Sequence, residues 1–224
     1  PYTDLLREWL PKISLPQVAS TNTMSHEQAL RAGTTSIQAA DAEGWVVSIT
    51  PSGGWVPAFI AGTTGVGLSQ RMQSFVMEGS QNPFNVLTPG QRPRATLSPG
   101  MALKDGKPFL SFAVQGGDFQ DQNLVQFFLN VVEFGMDVQE ASEAANMGSY
   151  QVHSSFGDHL SEPGKLLLRA DTPYPVMQQM ESMGYKVVIE GKTSGPINGI
   201  FIDQVHGTLM GGSSDYGDDY GIAW

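Results

Sequence analysis

From residue 36 onward apolar side chains return at every second position in short bursts, the spacing of strands that bury one face. "SIQAAD" (36–41) and "WVVSIT" (45–50) flank the small turn "AEG" and predict a hairpin. "GVGLSQRMQSF" (65–75) predicts a further strand. "MALKDGKPFLSFAV" (101–114) is the clearest hairpin: two apolar arms meet at "KDGK", whose Asp105-Gly106 pair suits a tight turn. In the 78–100 stretch, "EGSQNPFNVLTPGQRPRATLSPG", proline and glycine recur too often for a central strand, so it reads as a long loop of the kind that often carries function.

The rhythm then changes. "QNLVQFFLNVVEFGM" (122–136) is apolar nearly all round, which predicts a buried helix. Asp137 and Glu140 have the spacing of a capping box opening "VQEASEAAN". "DTPYPVMQQMESMG" (171–184) places Pro173 near a helix start and Gly184 at its end. "YKVVIE", "NGIFID" and "GTLMGGS" are then expected to complete a sheet. No internal repeat is visible. Strands first, helices in the middle and strands last predict an α+β fold, an antiparallel sheet system with helices packed outside. The first 33 residues differ in character. "TDLLREWL" suits a short helix stopped by Pro11, and "PQVASTNTMS" a polar tether. A boundary is expected at Gly33/Thr34, separating a tail (1–33) from the body (34–224).

Composition narrows the function classes. Hydrophobic residues make up 40% and charged residues 15% of 224, a globular balance with enough chain for one substantial core. No apolar run reaches the roughly 18 residues of a membrane span. Twelve Lys and Arg face 22 Asp and Glu, a formal charge of -10, which argues against nucleic acid or an anionic membrane as partner. The chain has no cysteine, so disulfides, thiolate catalysis and cysteine-bound metal are excluded. Residue 1 is Pro1, not Met, so the gene start is expected upstream; cytoplasm and periplasm both stay open, with the cytoplasm preferred.

Four histidines are present: His26, His153, His159 and His206. His153 and His159 share the loop-like "HSSFGDH", but their spacing matches no zinc motif, and no metal is expected. GxSxG, GxxxxGK[ST] and GxGxxG are all absent, which disfavours an α/β-hydrolase serine, a phosphate loop and a dinucleotide site. Two pairs remain, Thr34-Thr35 and Gly116-Gly117. A threonine hydroxyl is a poor nucleophile unless a base sits beside it, and at a chain's first position its own α-amino group is that base. Such an amine titrates near ~7.7–8.0, so part of it is unprotonated at neutral pH. Scission before Thr34 would free it, and small Gly33 leaves room for the hydroxyl to attack. "AVQGG" would offer two successive amides to a developing oxyanion. Taken alone, each pair is more simply read as a strand entry and a turn.

Several segments then change that reading: "TTSIQAAD", "GTTGVGLSQRMQSF", "GQRPRATLSPGMALKDGKPFL", "VQGGDFQDQ" and "VVEFGMDVQEASEA", in this order. With them the chain from Thr34 onward resembles the small, catalytic subunit of the gamma-glutamyltranspeptidase family, N-terminal nucleophile (Ntn) hydrolases that cleave themselves from one precursor. The match is strongest over 34–145. The resemblance implies a four-layer αββα sandwich, of which this is the catalytic half. It implies Thr34 as nucleophile and new N-terminus, with Gly33-Thr34 as the cut bond. Gly116 and Gly117 correspond to the oxyanion pair. Ser52 falls where the family places a threonine touching the nucleophile's amine, and Thr50 is a weaker candidate for that support.

The recognition segments depart from the glutathione-processing pattern. The family's acidic "QMDDF" reads "RMQSF" here, with Arg71, Gln73 and Ser74. Its substrate-holding asparagine falls at Gly54, and its serine pair in "SSMSP" becomes Ala95-Thr96, so only Thr96 keeps a hydroxyl. A site that trades a carboxylate for arginine attracts an acid rather than an ammonium. Arg71, Ser74, Thr96 and Gly54 are the expected substrate-side positions, and Arg71 reads equally well as a structural arginine. The expected function is an autoprocessing threonine amidohydrolase or acyltransferase acting on a small acid-bearing amide, with no cofactor. Its expected partner is the larger N-terminal region of the same precursor, possible as an oligomer of heterodimers. True γ-glutamyl transfer and a non-catalytic uncleaved relative remain open on the sequence.

Overall fold

The computed structural model describes residues 34–52, 59–217 and 219–223. The expected tail helix and tether, and the positions of Gly33 and Gly54, lie outside them. Alternation is realised first in β1 (Ile37–Ala40) and β2 (Val46–Ile49), antiparallel with Ile37 opposite Ile49. Their turn is pinned by the Asp41 carboxylate, which accepts from the amides of Glu43 and Trp45. The expected strand at 65–75 is only partly present. β3 (Phe59–Ile60) pairs with β4 (Gly67–Leu68), and the chain then tightens into a 3-10 turn over Arg71–Ser74.

β5 (Gly100–Lys104) and β6 (Lys107–Val114) form the expected hairpin. Asp105 (φ 52°) and Gly106 (φ 76°) take the successive left-handed conformations of a two-residue turn whose twist suits the flanking strands. The chain then enters α1 (Gln120–Val132) and α2 (Val138–Glu143), the latter opened by the predicted Asp137–Glu140 capping box. β7 (Met147–Ser149), β8 (Lys165–Arg169), α3 (Tyr174–Ser182) and β9 (Lys186–Glu190) follow, then β10 (Ile197–Asp203) and β11 (Thr208–Ser213).

The central sheet runs β11-β10-β6-β5, wholly antiparallel. Alternation along β6 separates its two faces. Leu110 and Val114 join Leu124, Phe127, Val138, Ala141 and Ile197 in a buried cluster beneath α1 and α2, and Phe112 lies against the rings of Phe127 and Phe128. Gly199 on β10 leaves the space for Phe127: a Cβ there would lie 2.9 Å from the ring's Cζ. On the opposite face, small Ser111 and Ala113 are fully buried and let the β1–β2 hairpin approach closely. The Ser111 hydroxyl donates to Gln38 Oε1 at 2.5 Å, and Ser48 Oγ to the Phe112 carbonyl at 3.4 Å. The described residues thus stack helices, sheet and sheet. The outer face of β1–β2 presents Ile37, Val47 and Ile49, all exposed among the described residues.

Two expectations need correction. α1 is not buried all round: Val125 is 57% and Leu129 40% exposed, because the helix lies on an outer face and composition cannot say whether anything covers it. Nor does β9 join β10 and β11. It pairs in parallel with β8, in a separate β7-β8-β9 sheet with α3 as the crossover. The run "LLL" at 166–168 is buried throughout, the mark of a strand covered on both faces, and its lack of alternation hid it. Between β9 and β10 the chain is redirected onto the end of β6, where Gly195 donates to the Gln115 carbonyl and Gln115 to that of Pro196.

Candidate active site

Thr34 sits at the entry to β1, in an isolated antiparallel bridge to Ser52, and only 8% of it is exposed. Its hydroxyl donates to Ser52 Oγ at 3.1 Å. That same oxygen accepts from Arg71 Nη2 at 2.9 Å, and Arg71 Nη1 donates to Thr96 Oγ1 at 2.9 Å. Thr34, Ser52, Arg71 and Thr96, drawn from four separate segments, therefore form one continuous hydrogen-bonded row. Thr50 is buried too, but among the described residues its hydroxyl has no hydrogen-bond partner and does not join the row.

The 3-10 turn places Arg71. Ser69 Oγ accepts from the Arg71 amide at 3.2 Å at the turn's start. Ser74 Oγ lies 2.9 Å from the carbonyls of both Arg71 and Arg94, and Asn85 Nδ2 donates to the Ser74 carbonyl at 2.5 Å. Ser74 is thus buried, with its hydroxyl turned onto the backbone of the 3-10 turn. Burial lowers the pKa of Arg71 from its usual value, yet the group stays cationic far above neutrality. Among the described residues no carboxylate pairs with it, and its buried Nε has no acceptor.

The glycine pair follows directly from β6. Gly116 (φ 142°) and Gly117 (φ 56°) adopt backbone conformations that a side chain would strain, and no described residue accepts from either amide. Asn198, unremarked in the sequence, links this turn's edge to the threonine. It lies one residue beyond Ile197, the partner of Val114, and its Nδ2 donates to Ser36 Oγ at 2.9 Å and to the Ser36 carbonyl at 3.2 Å. The start of β1 and the exit of β6 are thereby held at the same end of the stacked sheets. The only sequence signal for this is an asparagine at a strand start, which is too common to find it.

The two loop histidines are occupied by backbone. His159 places Nδ1 2.8 Å from the Ser154 carbonyl and Nε2 3.1 Å from that of Phe75, while His153 Nδ1 lies 2.8 Å from the His159 carbonyl. They tie the 150–160 loop to the end of the 3-10 turn at Phe75.

A helical layer over two stacked antiparallel sheets, with a buried threonine opening the inner hairpin and a glycine turn leaving the same end, defines the Ntn-hydrolase fold. The sequence model of gamma-glutamyltranspeptidase matches residues 7–224, and the chain belongs to that family. It is 27% identical over 180 residues, 80% of the chain, to the acylase ACY 1 proenzyme of Pseudomonas sp. (strain V22). It is 28% identical over 164 residues, 72% of the chain, to the glutathione hydrolase-like YwrD proenzyme of Bacillus subtilis (strain 168). The chain spans 30% of the length of each of these relatives. Gamma-glutamyltranspeptidase from Pseudomonas nitroreducens, solved in complex with L-DON, superposes with a TM-score of 0.68 at 22% identity, covering 85% of this chain and 99% of that one.

Proposed function

We propose that this chain is the catalytic part of an autoprocessing amidohydrolase or acyltransferase whose nucleophile is Thr34 and whose substrate is a small amide bearing an acid. Scission of the Gly33–Thr34 bond frees the Thr34 amine. That amine takes the proton from Thr34 Oγ as the oxygen attacks the substrate carbonyl carbon. The resulting oxyanion accepts from the amides of Gly116 and Gly117, which no described residue engages. Collapse breaks the C–N bond, and the protonated amine returns its proton to the leaving nitrogen. Water or a second amine then attacks the acyl ester, with the Thr34 amine again as base.

One observation carries the choice of substrate: Arg71 reaches the threonine through a single shared hydroxyl, that of Ser52, and has no carboxylate partner among the described residues. A guanidinium two hydrogen bonds from the nucleophile suits a substrate carboxylate. The acylase and glutathione hydrolase-like names of the relatives support amide cleavage as the reaction class, and their being proenzymes supports scission before Thr34. The rest of such a precursor would serve as partner, seated over the apolar outer face of β1–β2 and assembling as a heterodimer.

Intact mass of the purified full-length protein provides the test. Cleavage is expected before Thr34, and Thr34→Ala is expected to yield an uncut chain without amidase activity. A wild-type protein that stays whole yet hydrolyses amides would refute the mechanism.

A further inference from the structure

Resting on that reading of Thr34 and the glycine pair, we propose that Asp118 is a positioning residue: clamped by Ser155 and Arg94, its carboxylate aims the Gly116 and Gly117 amides and locks their turn to the loop that carries Thr96. Two successive glycines at positive φ have no side chains to hold them, so the direction of their N–H groups depends on what grips the turn. Backbone pairing fixes the entry as far as Gln115, and α1 fixes the exit from Gln120. Between them the turn has two internal bonds, from the Phe119 amide to the Gly116 carbonyl at 3.0 Å and from the Gln120 amide to the Gly117 carbonyl, and neither uses the N–H groups of the two glycines.

The outside grip comes from the residue next to Gly117. Asp118 Oδ2 accepts from the Ser155 amide at 2.7 Å, and Oδ1 accepts from the Ser155 hydroxyl. Arg94 donates to that same hydroxyl and stands 3.7 Å from Asp118 Oδ1. Ser155 is fully buried, so its bonds to the carboxylate are shielded from water. The neighbouring Phe156 ring packs on the turn, 3.1 Å from where a Cβ on Gly117 would lie. Arg94 carries the linkage onward: its carbonyl accepts from Ser74, whose hydroxyl also meets the Arg71 carbonyl, and two residues later Thr96 receives the Arg71 guanidinium. The Asp118 carboxylate thus stands between the glycine turn and the loop of Arg94 and Thr96, which Ser98 also ties to the start of α1 through Gln120 and Asp121. Preorganised donors lose their effect when displaced by about 1 Å, which makes this grip part of the rate.

The test uses the full-length protein carrying Asp118→Asn, with turnover normalised to the cleaved fraction read by intact mass. Asparagine keeps the shape but turns an NH2 group toward a donor of Ser155. The expected result is a fall in kcat of roughly tenfold to a hundredfold, with KM for the same amide within about twofold. Affinity for an alkylboronic acid, which becomes tetrahedral on Thr34 Oγ, should weaken in parallel with kcat, while affinity for the product acid stays level. A merely structural role would lower the melting temperature without that parallel. Ser155→Ala keeps the main-chain bond and is expected to give a smaller loss of the same kind, about threefold to tenfold, and it decides the matter should Asp118→Asn fail to fold. Unchanged kcat in the variants, or a loss confined to KM, overturns the assignment while leaving the threonine mechanism intact. Absence of Thr34-dependent turnover in the wild type overturns both.

Discussion

Replacing Arg71 with glutamine removes the one cation in the Thr34 row, and the structure sets the size of the expected effect. The guanidinium spends two donors on neutral hydroxyls, Ser52 Oγ and Thr96 Oγ1, each at 2.9 Å, and has no carboxylate partner among the described residues. A hydrogen bond from a charged group contributes about 1.5–3 kcal/mol, so losing one to a substrate carboxylate lowers kcat/KM by roughly 10- to 150-fold. Glutamine can still donate to one of the two hydroxyls, so a neutral amide of similar size should change by no more than about threefold. The assay compares glutaryl and pentanoyl p-nitroanilides on processed full-length protein, wild type against Arg71→Gln. Arg71→Lys should fall between them, since an ammonium keeps the charge but loses the planar fork. Equal loss on both substrates would refute carboxylate recognition and show that Arg71 acts on Thr34 through Ser52 instead.

Two further predictions concern stability. Phe127 is 1% exposed and fills the space left by Gly199, so Phe127→Ala should destabilise the fold by about 3–5 kcal/mol, read as a lowered urea midpoint. The hydrogen bonds from the Arg169 guanidinium hold the Asp171 carboxyl below its ordinary value, with burial partly opposing. A lowered carboxyl pKa stabilises above the unfolded value near ~3.9, and that contribution is lost as pH falls through the lower folded value. Asp171→Asn should therefore flatten part of the acid limb of a stability–pH profile. The effect should stay below about 1 kcal/mol because Asp171 is 54% exposed even though Arg169 is mostly covered, and an unaltered limb would show the bond contributes nothing.

Local chemistry made part of this molecule legible from its residues. The Asp105-Gly106 turn, the Asp137–Glu140 capping box and the alternation of β1, β2, β5 and β6 each depend on neighbours within a few positions, and all appear as read. Thr34 stands out as a candidate once other motifs are excluded, but Ser52, Arg71 and Thr96 could be singled out only through the family's ordered segments, because spacing alone gives a hydroxyl or an arginine no role.

What remained was decided by contacts between distant parts of the chain. β9 took β8 as its partner because the α3 crossover returns the chain in parallel, a choice its own "KVVIE" pattern does not encode. One face of α1 stayed open because burial depends on what lies above a helix, not on its composition. Ser74 took its place against the carbonyls of Arg71 and Arg94, and Asn198 and Asp118 acquired theirs, only when segments far apart in sequence were brought together. Short-range preferences are carried by the residues themselves. The direction of a buried hydroxyl or amide is set by partners the chain reaches only on folding.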